Sequence, residues 1–155
     1  MTNIFKNSWV SAIGVGLAGA LGVTLYNEVA RKVFPRAPRL DILGERTIKK
    51  GLKSIGVSPP RGDNLYWWAL AGDLLTNTVF YSFVRRARSP LSRGVSLGTF
   101  AGLCALVVPE MIGLGRRHRG FTNQTKAMTV GHYVFGGLAS AAATHLFAPP
   151  VIARA

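Results

Sequence analysis

The chain has 155 residues, 48% of them hydrophobic and 16% charged, whereas a soluble domain carries about 25% charged residues. Its 19 Lys and Arg against 6 Asp and Glu give a net charge of +13, but the basic residues fall between apolar runs without any nucleic-acid motif, so nucleic acid is not expected as a partner. The lone Cys104 sits inside an apolar run and excludes an intrachain disulfide and any CxxC redox or metal motif.

The apolar residues gather in runs of about 20, the length a helix needs to cross a ~30 Å hydrocarbon core. The first run covers residues 8–30. Lys6 before an apolar core and the small residues Ala18-Gly19-Ala20 imitate a cleaved signal, but the run continues to Tyr26. Ala12, Gly16 and Ala20, and likewise Gly14, Ala18 and Gly22, recur every fourth residue, a spacing that lets helices approach closely. Thr24, Asn27 and Glu28 share one face near the end of the run, where Glu28 has a plain alternative partner in Lys32 one turn on.

After Pro35 and Pro38, residues 40–55 read as an amphipathic helix. Leu40, Leu43, Ile48, Leu52 and Ile55 make its apolar face, and Arg39, Arg46, Lys49, Lys50 and Lys53 lie opposite. That pattern suits a helix in the head-group plane, its five basic residues meeting anionic lipid. Gly44 and Gly51 weaken it by about 1 kcal/mol each relative to alanine.

The second run, residues 64–84, is the organising stretch. Tyr66, Trp67 and Trp68 stand where a helix enters the interface. Asp73 lies about 13 Å along the helix, with Thr76 and Asn77 expected on its face. A carboxylate in mid-hydrocarbon costs roughly 2.5–3.5 kcal/mol, so Asp73 is expected to face a protein interior or a wet cavity. Arg85, Arg86 and Arg88 close the run.

The third run, residues 94–114, carries Gly94, Gly98 and Gly102 at every fourth residue. Pro109 precedes Glu110 near its end and frees a carbonyl one turn earlier, which beside a carboxylate can hold an ion or water. The alternative is an end-of-span kink with Glu110 reaching Arg116 or Arg117. His118 belongs to that basic flank. The fourth run, residues 126–147, shows His132, Gly136, Ser140 and Thr144 as one stripe before Ala148-Pro149-Pro150. A faint internal repeat relates Asn64, Gly72 and Asp73 to Asn123, Gly131 and His132 at an offset of 59.

These features predict an all-α integral membrane protein: a single domain, a four-transmembrane-helix bundle with an amphipathic interfacial helix between its first two spans. Loops one–two and three–four hold 13 of the 19 Lys and Arg, which places them in the cytoplasm and the termini outside, in a bacterial inner membrane. Glu28, Asp73, Glu110 and His132 then lie toward the same leaflet. With Asn77 they form the expected ligand site, and they are also the candidate ligands for a divalent metal.

Three functions follow. The first is a binding or transport module for a small ion, a proton or a lipid head group. The second is an accessory subunit, meeting a second copy or a larger membrane complex through its glycine faces. The third is a membrane-embedded lipid-modifying or metal-dependent enzyme. No Walker motif or HExxH is present, and no stretch carries the signature of a known family.

Overall fold

A computed structural model describes residues 8–114 and 122–147. These form five α-helices and no strand: α1 (Ser8–Val33), α2 (Leu40–Ser54), α3 (Asp63–Ser82), α4 (Pro90–Met111) and α5 (Asn123–Leu146). A 3-10 turn, Phe83–Arg86, tightens the end of α3. Lys6, residues 116–119, residues 148–150 and Arg154, to which flanking or stop roles were given, lie outside the described residues.

Local chemistry sets the ends. Pro90 opens α4 at a position where its missing N–H costs nothing. Thr122 caps α5 by accepting from the Thr125 N–H at 3.3 Å. Gly113, at φ 67°, stops α4. There Leu114 N–H donates to Pro109 O at 2.9 Å and Gly113 N–H to Glu110 O at 3.1 Å, the paired bonds of a Schellman turn. Gly56, at φ 76°, ends α2 in the same manner.

The main helix contacts run α2 on α3, α3 on α1, α1 on α5 and α5 on α4. The helices thus stand largely in a row. The 3-10 turn touches α1, α4 and α5 at one end. Tyr81 is the hub: it is fully buried beside Gly19 and Gly136, and its hydroxyl donates to the Tyr133 carbonyl at 2.6 Å. One phenol therefore ties α3 to both α1 and α5, with Val15, Val23, Val84 and Ala141 packed around it.

The glycine rows, expected to let helices pack closely and, in the accessory-subunit reading, to meet a second copy or a larger complex, pack against other helices of the chain. Gly94, Gly98 and Gly102 are all buried against α5. A Cβ on Gly98 would lie 2.5 Å from the Tyr133 carbonyl oxygen, and one on Gly102 2.7 Å from Val130 Cα. On α1, Gly16 faces the Thr78 carbonyl of α3, and Gly19 faces Ser140. The rows exist because these backbones touch each other.

The outer surface is apolar. Trp9, Ile13, Leu17, Leu21, Leu25 and Val29 recur every fourth residue along α1, all exposed. On α4, Leu91, Val95, Phe100, Leu103, Val107 and Met111 are exposed as well. Two helices, Trp9–Val33 and Pro90–Met111, are long and apolar enough to cross a membrane. Two of the four expected spans, residues 64–84 and 126–147, become helices that fall short of this measure. The reason is their polar content: Asp63, Asn64, Asp73 and Asn77 on α3, and Asn123, Gln124, Lys126, His132 and His145 on α5.

The expected amphipathic helix forms as α2, and part of its apolar face packs on α3, with no residue of the helix buried. A Cβ on Gly44 would lie 3.4 Å from Ala69 Cβ, and Ile48 Cδ1 sits where a Cβ on Gly72 would meet it at 3.5 Å. Three of its five basic residues are engaged in the protein. Arg39 binds Asp41 at 2.9 Å, Arg46 donates to the Leu114 carbonyl at 3.4 Å, and Lys50 donates to that of Ile112. Carbonyls past the end of α4 carry the negative pole of its dipole and attract these cations. Lys49 and Lys53 remain exposed.

Candidate functional site

A cleft of about 50 Å³ opens where α1, α2 and α3 meet. From α1 it takes Val23, Thr24, Asn27 and Glu28, which the helical repeat places on one face. From α2 come Leu40, Asp41 and Gly44, and from α3 come Tyr66, Ala69, Leu70 and Asp73. Three carboxylates, Glu28, Asp41 and Asp73, therefore line one hollow whose remaining walls are mostly apolar.

Their electrostatics differ. Arg31 bridges two of them, binding Glu28 at 3.0 Å and standing 3.7 Å from Asp41. The Glu28 partner is thus Arg31 and not Lys32. Asp41 also receives a forked pair of bonds from Arg39, at 3.1 and 2.9 Å. Burial works to raise the Asp41 carboxyl. The Arg39 hydrogen bond, the Ile42 backbone N–H and the charges of Arg31 and Arg39 outweigh it and hold the group below its ordinary value.

Asp73 has no cation within 4.0 Å among the described residues. Its partner is Asn77, whose amide donates to the carboxylate at 2.9 Å from a buried position one turn on. Asp73, expected to face a protein interior or a wet cavity, lines the cleft from an exposed position, and Thr76, expected on the same inward wall, is exposed as well and donates to the Gly72 carbonyl at 2.7 Å.

The other expected members lie elsewhere. His132 is fully buried on α5, its ring 4.4 Å from that of Tyr26. The Met128 carbonyl, 2.6 Å from Nδ1, can only accept, so Nδ1 carries a proton, while Nε2 has no partner among the described residues. Neither His132 nor Glu110 lines the cleft. Glu110 is exposed near the end of α4, which packs on α5 at the far side of the row from α3. Helices in a row cannot bring all four groups to one point as a closed bundle can. Among the described residues no three His, Cys, Asp or Glu gather closely enough for a metal ion, so the candidate ligands Glu28, Asp73, Glu110 and His132 do not form one donor set there.

Asp41 and Tyr66 were not anticipated at this site. A signal for Asp41 was available in Gly44. A glycine one turn away, on the apolar side of an amphipathic helix, marks a close backbone approach more than contact with fluid lipid.

No family model, curated protein or solved structure matches the chain.

Proposed function

We propose that the chain is a small membrane protein whose four long helices cross the bilayer, and that the cleft between α1, α2 and α3 binds a small organic cation. The exposed apolar surface supports the membrane location. Only 17% of the most apolar stretch of α4 is buried, although the core helix of a soluble protein is mostly buried. Soluble monomers rarely expose continuous apolar patches beyond a few hundred Å². Of the polar groups that lower the hydropathy of α3 and α5, Asn77 and His132 are buried, as are Thr125, Thr129, Ser140 and Thr144, while Asp63, Asn64, Asn123, Gln124 and Lys126 lie exposed in the first turns and Asp73 and His145 are exposed further along. The bias of 13 to 6 in Lys and Arg favours placing the cleft end in the cytoplasm.

The observation that carries the ligand class is one of concentration. A chain of net charge +13 has 6 acidic residues, and half of them line this cleft. They stand around it without converging on one point, which suits a ligand of some extent better than a bare ion. Room for one water needs roughly 10–15 Å³, so the cleft holds a solute of a few heavy atoms. Asp73 offers the uncompensated charge, Asn77 orients it, and the Tyr66 ring with Leu40, Ala69 and Leu70 receives the apolar body of an ammonium.

Thermal unfolding of the purified protein in detergent tests this with tetramethylammonium and ethylammonium against sodium. We expect the organic cations to stabilise the wild type, Asp73→Asn to lose the effect and Glu110→Gln to keep it. Equal stabilisation by sodium, or an undiminished response in Asp73→Asn, would refute the reading.

A further inference from the structure

We propose that the corner formed by the 3-10 turn and the start of α4 is a docking site for anionic phospholipid head groups. This rests on the membrane location proposed above and is independent of the cation site.

The two ends of the molecule carry their positive charge differently. At the cleft end, Arg31, Arg39, Arg46 and Lys50 are engaged by carboxylates or backbone carbonyls. The opposite end carries Arg85, Arg86, Arg88 and Arg93 within nine positions. No Asp or Glu occurs between Asp73 and Glu110, and none precedes Glu28 or follows Glu110. The start of α1, the α3–α4 corner and the end of α5 therefore meet at an end without an Asp or Glu side chain among the described residues. Among the described residues none of the four arginines has an ion-pair partner.

Two details fit this cationic corner to a lipid. The Arg85 Nε is buried with no acceptor among the described residues, so an acceptor from a lipid would satisfy it. Arg86 stacks over the Trp9 ring at 5.1 Å, and the apolar Phe83 of the same turn and Leu91 of the first turn of α4 are exposed. A guanidinium held on an aromatic ring, next to side chains that suit acyl chains, puts phosphate-binding groups at the depth where an indole ring prefers to lie. The first turn of α4 contains no acidic residue and receives no side-chain cap, so its positive pole adds to the same field. Arginine also matches phosphate oxygens in bidentate fashion. Of the two basic surfaces, α2 and this corner, the corner holds the arginines the protein leaves uncompensated.

The test uses the full chain extracted in mild detergent, with bound lipid counted by native mass spectrometry. The probes are dioleoylphosphatidylglycerol and dioleoylphosphatidylcholine. We expect selective retention of the phosphatidylglycerol. Removing a basic residue at an anionic surface weakens binding about fivefold, so Arg85→Gln/Arg88→Gln/Arg93→Gln should weaken it on the order of a hundredfold. Arg88 and Arg93 are exposed, and the double variant Arg88→Gln/Arg93→Gln keeps the fold and should show a loss of roughly twenty-fivefold. Lys49→Gln/Lys53→Gln, on α2, should leave retention unchanged. Loss in the α2 variant with retention in the arginine variants would overturn the proposal. So would displacement of the lipid by millimolar inorganic phosphate, which would make free phosphate the ligand. Recovery of the protein in the aqueous fraction without detergent would overturn the membrane location and this site with it. Extraction by detergent without phosphatidylglycerol preference would overturn this site alone.

Discussion

The Asn77 side-chain amide donates both to the Asp73 carboxylate, at 2.9 Å, and to the Asp73 backbone carbonyl, at 3.0 Å. One buried amide thus fixes the rotamer of a carboxylate that has no cation beside it. Replacing Asn77 by Leu keeps the branched shape and the number of heavy atoms and removes the donor. A hydrogen bond to a charged group contributes about 1.5–3 kcal/mol. Asn77→Leu should therefore weaken tetramethylammonium binding by at least about tenfold. The unfolding temperature without ligand should move much less. Isothermal titration with parallel melting curves separates the two quantities, and unchanged affinity would show that Asp73 does not need this support.

Two glycines predict opposite effects of one added methyl. Gly51 lies in α2 with nothing within 4 Å of its absent Cβ. Gly51→Ala should stabilise by roughly 0.5–1 kcal/mol through helix propensity alone. Gly98→Ala drives a Cβ to 2.5 Å from the Tyr133 carbonyl oxygen and 2.6 Å from Val134 Cα, both backbone atoms that cannot swing aside. It should destabilise by about 1–3 kcal/mol, the range of overpacking. Thermal melts in one detergent check both signs.

Asp41 predicts a pH dependence at the α2 end. Its folded carboxyl lies below the ordinary value of 3.8. A depressed carboxylate contributes stability that is complete above the unfolded value and is lost as pH falls through the folded one. Asp41→Asn should therefore loosen α2 at neutral pH, read as faster amide exchange over Leu40–Ser54. The difference from wild type should persist down to about pH 4 and close only below it. A gap that closes between pH 5 and 7 would place the coupling on another group.

Run length and glycine spacing made the helices legible. The expected ranges 8–30, 40–55, 64–84, 94–114 and 126–147 each became a helix with ends shifted by a few residues. The inward stripe of His132, Gly136, Ser140 and Thr144 was legible because a helix repeats its faces, and all four are buried. The neighbour of each face was not legible. Depth along a helix does not give its place in a row, so Glu110 and His132 were grouped with Asp73 although α5 packs between α4 and α1. The same limit hid Asp41. An amphipathic pattern says that α2 has an apolar side but not that α3 packs on part of it. The basic residues of α2 gave no hint that carbonyls after α4 would engage Arg46 and Lys50.

Gly94 and Gly137 have a consequence for genetics. Each occupies the space the other's side chain would need: a Cβ on Gly94 would strike the Gly137 carbonyl, and one on Gly137 would strike that of Gly94. An ordinary core contact can be repaired by shrinking the opposite partner, but here both partners are already the smallest residue. A suppressor screen started from Gly94→Ala has no compensating substitution to find at position 137. Survivors should be reversions to glycine, or changes elsewhere that slide α4 along α5.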